Sequence, residues 1–321
     1  MKLLTIGCGA IGRRHAENAK KYAEVSIYDE NDLVSQTVGA ALQVPTFRTL
    51  ASALQWLPDV VVVSTPPHSH VSIASQAIVA GAHVLIEKPI SNVVHGVDLL
   101  IRTARENNRK IYVVCNMRFH PAVIVVQKNL TKIGRPFFAR AHYGNYLPNM
   151  RPDRDYRSLY AAKRSLGGGV ILDAIHEVDY LRWLLGEVES VIASAATLSD
   201  LEIDVEDYAS LLLTHNNGVR SEIHLDYLQQ CKRRGCEIVG EQGTLLWESL
   251  GKKPELCTVK LFLKATQTWE TLYQETMEDL NQPYDLLMQS LIHALQGETT
   301  ILATAEDGLA ALKVSLAASL Q

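Results

Sequence analysis

The run Leu3-Leu4-Thr5-Ile6-Gly7-Cys8-Gly9-Ala10-Ile11-Gly12 decides the architecture of this chain. Leu3 to Ile6 is a short, mostly apolar run of the kind that forms a buried parallel strand. Gly7, Gly9 and Gly12 follow at G-x-G-x-x-G spacing and open a helix that reads through about Tyr22. A second short strand, Val25 to Tyr28, ends at Asp29, about 20 residues beyond the glycines. The glycines differ in what they permit. The first allows a tight turn, the second lets a pyrophosphate approach the backbone, and the third lets helix pack on strand. Free N–H groups at the helix start face phosphates. A carboxylate at Asp29 accepts hydrogen bonds from free ribose hydroxyls and repels a 2′-phosphate; Glu30 and Asn31 follow it with no arginine to hold one. The expected cofactor is therefore NAD rather than NADP.

The same grammar continues outward. A helical patch at Leu50 to Leu57 precedes the strand Val60 to Val63, which Thr65-Pro66-Pro67-His68-Ser69-His70 interrupts before a helix from Val71 to Ala80. His83 to Ile86 is the next strand, ending in Glu87-Lys88-Pro89, and after another helix Ile111 to Cys115 ends at Asn116. Strands alternating with helices predict an open, doubly wound α/β sheet, in which ligands lie outside the carboxyl ends of the strands. Gly7, Asp29, Thr65, Glu87, Lys88 and Asn116 all fall at such ends. A lysine fixed after a buried strand and ahead of a proline is held more tightly than a surface lysine, which suits it to donate a hydrogen bond or exchange a proton.

Past Arg118 the pattern changes. A helix to about Lys132 leads into a strand-like run from Pro136 to Tyr146, then a loop rich in Arg, Pro, Asp and Tyr from Leu147 to Tyr160. Gly167-Gly168-Gly169 forms a hinge ahead of a stretch with helical period, in which Ile171, Ile175, Val178, Leu181 and Leu185 mark a buried stripe. Asp173 and His176 recur on another face, a carboxylate and an imidazole suited to acid/base work. Runs of β character follow: Val188 to Ala196, Tyr208 to Thr214, Val219 to Tyr227, Glu237 to Val239, Thr244 to Trp247 and Val259 to Leu263. Asn216-Asn217-Gly218 is a hairpin turn. Helices are expected at Tyr284 to Leu295 and Ala305 to Leu320, the last opened by a box formed by Thr304 and Asp307. This predicts a Rossmann domain over residues 1–118 and, over 119–321, an α+β domain with a large, mostly antiparallel open sheet, its C-terminal helix free to pack back on the first. The polar face of that sheet predicts a homo-oligomer, a homodimer or homotetramer.

With 31 basic and 35 acidic residues among 321, nothing in the charge balance indicates a nucleic acid or a membrane surface as partner. The five cysteines show no metal spacing, so no metal is expected, and the start of the chain carries no signal segment. The expected location is the cytoplasm.

Taken in order, Gly7 to Gly12, Thr65-Pro66-Pro67 with His70, Glu87-Lys88-Pro89, Asn116 with Arg118, and Gly167-Gly168-Gly169…Asp173…His176…Asp179 resemble the glucose–fructose oxidoreductase / inositol dehydrogenase / rhizopine-catabolism (Gfo/Idh/MocA) family over nearly the whole length. The branch that looks most similar acts on nucleotide-activated amino sugars, in the manner of UDP-N-acetylglucosamine 3-dehydrogenase. Similar sequences occur in sialic- and legionaminic-acid pathways. The resemblance implies hydride transfer from a ring hydroxyl of a sugar, first the C3 hydroxyl of a UDP-N-acetyl amino sugar, to the nicotinamide ring, giving a 3-keto sugar. Cyclitol or simple-sugar oxidation is the second reading, and a dinucleotide-sensing regulator without chemistry the third. It further implies that Lys88 hydrogen-bonds the reacting hydroxyl, His176 takes its proton and Asp173 supports the imidazole, with Lys88 as the base an open alternative. The expected cofactor contacts are Gly7, Gly9, Ala10, Ile11, Gly12, Asp29, Thr65, Pro67, His70, Glu87, Lys88 and Asn116. Arg118, Tyr156, Arg157, Tyr160 and Lys163 are the expected substrate contacts, arginine and lysine for phosphate and tyrosine for a sugar ring. In much of the family three residues separate the acid from the histidine; here only Ala174 and Ile175 do, so with His176 aligned, Asp173 is the member that departs from the family's pattern.

Overall fold

The computed structural model describes residues 1–319, and its contacts divide the chain into two compact units. The elements in chain order begin with β1 (Lys2–Ile6), α1 (Ala10–Ala19), β2 (Glu24–Tyr28), α2 (Asp32–Leu42), α3 (Leu50–Gln55), β3 (Val60–Val63), α4 (His70–Val79), β4 (His83–Ile86), α5 (Val97–Glu106) and β5 (Ile111–Val113). They continue with α6 (Pro121–Asn129), β6 (Pro136–Gly144), α7 (Leu147–Met150), α8 (Val170–Asp173), α9 (His176–Leu185), β7 (Val188–Ala196), β8 (Tyr208–His215), β9 (Arg220–Asp226) and β10 (Arg233–Gly240). The last are β11 (Gly243–Leu250), β12 (Glu255–Leu263), β13 (Thr268–Met277), α10 (Gln282–Leu295), β14 (Ala303–Thr304) and α11 (Ala305–Ser319). The expected end of the final helix at Leu320 lies outside the described residues.

The first unit is built on a six-stranded sheet in the order β14-β5-β4-β3-β1-β2. β1 to β5 pair in parallel, and β14 joins β5 antiparallel. β3 and β4 read as continuous apolar runs because helices cover both faces: Val60 to Val63 and Val84 to Ile86 have no exposed surface. Strand order reverses between β1 and β3, and the turn after β1 opens there. Gly7 has φ +89°, and a Cβ on it would press on the backbone of Ser64 and Thr65 just past β3.

The unit comprises Met1–Asn116 and Asn281–Leu312; the sequence reading sets the boundary at residue 118 and leaves only the C-terminal helix free to pack back on the first domain. The physical reason is a set of contacts between residues far apart in the sequence. Asn18 on α1 and Asn281 exchange amide hydrogen bonds of 3.1 and 2.8 Å, and Lys21 pairs with Asp285 on α10 at 2.8 Å. β14 then adds a sixth strand beside β5.

The second unit holds Met117–Leu280 and the chain from Lys313 onward. Its sheet has eight strands in the order β13-β12-β11-β10-β6-β9-β8-β7, all neighbours antiparallel except β6 with β9. Alternation sorts the faces. Tyr143, Leu225, Cys236, Trp247 and Val259 are buried on one side, where Tyr180 of α9 meets Trp247 edge-on at 5.7 Å. On the other side Arg140 reaches Glu222 at 3.2 Å and Glu237 at 3.6 Å, while Ile192, Leu212 and Trp269 are exposed. The hairpin at Asn216-Asn217-Gly218 forms as expected, with Gly218 at φ +85°. The final helix has the expected cap: Thr304 Oγ1 accepts from the Asp307 N–H at 3.2 Å, and Asp307 Oδ2 accepts from the Thr304 N–H at 3.0 Å.

The stretch after the triple glycine departs from the expected single helix. It forms two, α8 and α9, because Ala174 turns out of helical geometry at φ −94°, ψ 28°. His176 thus starts a helix instead of sitting inside one, and step angles along a continuous helix do not apply to Asp173 and His176.

Candidate active site

In the first unit the glycine turn and α1 make an open cradle. Gly9 caps α1 with no side-chain acceptor, leaving the first helical N–H groups, those of Ala10, Ile11 and Gly12, for a ligand. A Cβ on Gly9 would meet nothing within 4 Å, so the glycine borders open space; a Cβ on Gly12 would collide with the Gly7 carbonyl oxygen. Asp29 is oriented before any ligand arrives: Oδ2 accepts from the Cys8 N–H at 2.7 Å and Oδ1 from the Asn31 N–H at 2.9 Å. Burial, reinforced by Asp29, pushes the Cys8 thiol up to about 12, so it is inert packing inside the turn. Asn116 follows β5 with a buried side-chain oxygen that has no partner. An open cradle at a helix start, a fixed carboxylate and an amide awaiting a partner fit a dinucleotide: phosphates on α1, ribose hydroxyls on Asp29, and the carboxamide end toward Asn116.

Thr65 and Pro67 lie just beyond β3. Thr65 Oγ1 accepts from Ser69 Oγ at 2.8 Å, and Pro67 is buried as the first residue of a short 3₁₀ turn. His70, expected as a cofactor contact, has backbone carbonyls beside both ring nitrogens. It is fully buried between two carbonyls, its Nδ1 2.9 Å from that of Pro89 and its Nε2 2.7 Å from that of Thr65, and the neutral ring donates its one N–H to one of them at a time. Desolvation lowers its pKa against the pull of those two carbonyls. Glu87 is also committed: Oε1 lies 2.7 Å from His15 Nε2, and Oε2 accepts the Lys88 N–H at 3.1 Å. Lys88 itself is half-buried at the carboxyl end of β4.

In the second unit His176 is buried at the first position of α9. Asp173, the last residue of α8, accepts a short hydrogen bond from the Tyr160 hydroxyl. Tyr143 and Tyr227 are buried beside this pair; desolvation, with the Asp173 charge adding to it, raises Tyr143 to about 12 and Tyr227 well above its usual value. Both phenols thus stay protonated and available as donors. The start of α8 is set by Glu206, whose carboxylate accepts from the Ile171 N–H at 3.2 Å and occupies the space a Cβ on Gly169 would need. Gly169 is obligatory there for a second reason, φ +108°. Burial raises the Glu206 pKa. Sequence reading misses Glu206 because it lies far along the chain, on a loop with no periodicity.

The expected substrate contacts separate. Tyr160 is held on Asp173. Arg118 is buried and bidentate on Asp179, Nε to Oδ2 at 3.0 Å and Nη2 to Oδ1 at 2.7 Å, which makes it an anchor of α9 and not a phosphate ligand. Arg157 is exposed and neutralised by Asp155 at 2.8 Å and Glu202 at 2.9 Å; Tyr156 accepts the Glu202 N–H at 3.2 Å. Lys163 is exposed. Arg234, which with Arg233 the sequence offers as a second phosphate site, pairs with buried Glu177 at 2.8 Å and lies over the Tyr143 ring. The Lys232-Arg233-Arg234 cluster is its only signal in the sequence. Among the described residues no helix is long and apolar enough to cross a membrane.

Comparison with known proteins agrees with this arrangement. A family model described as "Oxidoreductase family, NAD-binding Rossmann fold" matches residues 1–115, and the "GFO/IDH/MocA C-terminal domain" matches residues 130–246. The inositol 2-dehydrogenase of Acidiphilium cryptum is 27% identical over 97% of this chain and 90% of its own length. The UDP-N-acetylglucosamine 3-dehydrogenase of Acidithiobacillus ferrooxidans is 31% identical over 68% of this chain and 64% of its own. A solved structure of the Acidithiobacillus enzyme superposes with a TM-score of 0.82 at 21% identity, covering 100% of this chain and 97% of the other. The WlbA dehydrogenase from Bordetella pertussis, in complex with NADH and UDP-GlcNAcA, also gives a TM-score of 0.82, at 24% identity over 99% of this chain and 95% of that one. With both domain models matched in order along one chain, the protein belongs to the Gfo/Idh/MocA family of NAD-binding oxidoreductases and is a dehydrogenase acting on CH–OH groups.

Proposed function

We propose that the enzyme oxidises a ring hydroxyl of a sugar with NAD, the C3 hydroxyl of a UDP-N-acetyl amino sugar first among candidates. Bound NAD supplies the hydride acceptor. The chain's own residues supply the rest: Lys88 donates a hydrogen bond to the reacting hydroxyl oxygen, and His176 removes its proton as the C–H bond breaks. An imidazole is the side chain suited to exchange a proton near neutral pH. Tyr160 and Asp173, joined by their hydrogen bond, hold the neighbouring sugar hydroxyls. The observation that carries NAD over NADP is the Asp29 carboxylate, fixed by two backbone N–H groups at the ribose end of the turn, where a 2′-phosphate would meet a clamped negative charge.

The cyclitol reading has its own support. Arg118 and Arg157 are both occupied by carboxylates, which leaves fewer cations for a diphosphate, and the inositol 2-dehydrogenase relative spans nearly the whole chain. The deciding experiment follows nicotinamide absorbance with NAD or NADP against UDP-N-acetylglucosamine, CMP-sugars, free sugars and myo-inositol. Reduction of NAD with the UDP-sugar is expected. Turnover on myo-inositol alone moves the assignment to a cyclitol, and a tenfold preference for NADP overturns the role given to Asp29.

The outer face of the eight-stranded sheet, with Ile192, Leu212 and Trp269 exposed between ion pairs, is the surface through which we place the homodimer or homotetramer. Sedimentation that finds only monomer at micromolar concentration counts against it.

A further inference from the structure

The two residues flanking Lys88 are each held by a buried imidazole. His15, on α1, has no exposed surface and lies 2.7 Å from Glu87 Oε1; His70, at the start of α4, has none either and lies 2.9 Å from the Pro89 carbonyl. The Glu87 carboxylate is used at both ends, Oε1 by His15 and Oε2 by the N–H of Lys88 itself. The other ring nitrogen of His70 lies 2.7 Å from the Thr65 carbonyl, and the tautomer with its proton on Nδ1 is the one that donates to Pro89. The backbone on either side of Lys88 is thereby tied to α1, which opens the glycine turn, and to α4.

Simple packing does not account for this. His15 sits in the interior of α1, where an apolar residue would fill the space without burying a polar ring. Its Nδ1 has no partner at all, so the site accepts an unsatisfied buried nitrogen to keep the bond from Nε2. The bond to the carboxylate requires the ring proton on Nε2, which donates to Glu87 Oε1. Tyr284 of α10 closes the pocket, edge-on to His15 at 5.8 Å, and its own outer face is covered by Arg14 at 4.6 Å. The pocket therefore draws on a segment that returns from beyond residue 280, which is what places Asn281–Leu312 in the first unit.

We propose that His15 and His70 are positioning residues that fix the backbone of Lys88 relative to the glycine turn, acting through Glu87 and through the Pro89 carbonyl. This deepens the role given to Lys88 above and rests on that reading, but it makes a claim about geometry that can be tested without a substrate. Hydrogen-bonded neighbours on both sides fix the Cα from which the Lys88 side chain departs; releasing either neighbour lets that backbone shift and exposes the side chain to solvent more often.

The test labels lysines in the NADH-saturated enzyme with pyridoxal 5′-phosphate, traps the adduct with borohydride and reads the rate at each lysine by peptide mass spectrometry. His15→Leu and His70→Leu are expected to raise labelling at Lys88 about threefold or more, with other lysines unchanged. His15→Gln, whose amide nitrogen takes the place of Nε2, and His70→Asn, whose amide nitrogen takes the place of Nδ1, are expected to restore the wild-type rate. Glu87→Gln serves where a leucine variant does not fold, and NADH affinity within about twofold of wild type certifies an intact cofactor site. A Lys88 rate that is unchanged or lower in His15→Leu, or equally raised in His15→Gln, overturns the proposal. Failure of the assignment of Lys88 to catalysis shows elsewhere, as undiminished turnover in Lys88→Met, so the two failures are distinguishable.

Discussion

Replacing His176 by Asn is expected to lower kcat by about 10²- to 10⁴-fold, the usual contribution of a positioned general base, while NADH affinity stays within about twofold. The asymmetry follows from where the residues sit. His176 belongs to the second unit and begins α9, whereas the glycine turn, Asp29 and Asn116 belong to the first. Asn keeps a polar side chain of similar reach but cannot accept and pass on a proton near neutrality. The buried pairs that anchor α9, Arg118 with Asp179 and Arg234 with Glu177, are untouched by the change, so the fold should survive. Stopped-flow measurement of NAD reduction, with whichever sugar or cyclitol the enzyme turns over, reads the chemical step directly. Turnover within tenfold of wild type would remove His176 from the proton path and leave Lys88 as the base.

The parts of this molecule that can be read from sequence are those whose cause is local. The glycine spacing, the apolar runs of β1, β3 and β4 and the turn at Asn216-Asn217-Gly218 each state their own conformation within a few residues. α2 also carries a local signal, one the sequence reading leaves out: Asn31 Oδ1 accepts from the Leu33 and Val34 N–H groups at 3.1 and 3.4 Å, an ordinary N-cap. β13 is invisible for a different reason. It is an edge strand, exposed along most of its length, so Thr268–Met277 lacks the apolar alternation that one buried face imposes. The start of α8 depends on a loop glutamate 35 positions on, and the return of residues 281–312 on partners some 263 positions away, so no window of sequence contains them.

The candidate site shows the same division. Residue types are legible; their commitments are not. A lysine after a strand, a histidine after a glycine hinge and an acid after a second strand are read from position alone. Whether an arginine faces a ligand or a carboxylate depends on what the fold brings to it, and for Arg118 it brings Asp179. His70 makes the same point from the other side, since a histidine beside a cofactor turn proves to be buried between two backbone carbonyls.

The Arg118–Asp179 pair carries the largest expected effect on stability. Both side chains are nearly inaccessible, 4% and 1% exposed, and the pairing is bidentate. Removing one partner of such a pair leaves a charge stranded in a medium that cannot solvate it, and Asp179→Ala should therefore cost about 3–5 kcal/mol. That exceeds the loss of packing alone, since truncating Asp to Ala removes little apolar area. A surface pair such as Arg157 with Glu202 should by contrast contribute little, because water and salt already screen it. The comparison separates two accounts of why the pair is there. If it serves stability, the double variant Arg118→Met, Asp179→Leu should remain as weak as the single one. If it serves instead to fix the register of α9, the double variant should regain most of the loss in urea unfolding, since apolar residues of similar volume satisfy the same space without a desolvation penalty. Turnover should then stay depressed even as stability recovers, because His176 rides on the first turn of the helix that the pair aligns. Recovery of both would show that packing at these two positions, and not the ion pair, holds His176 in place.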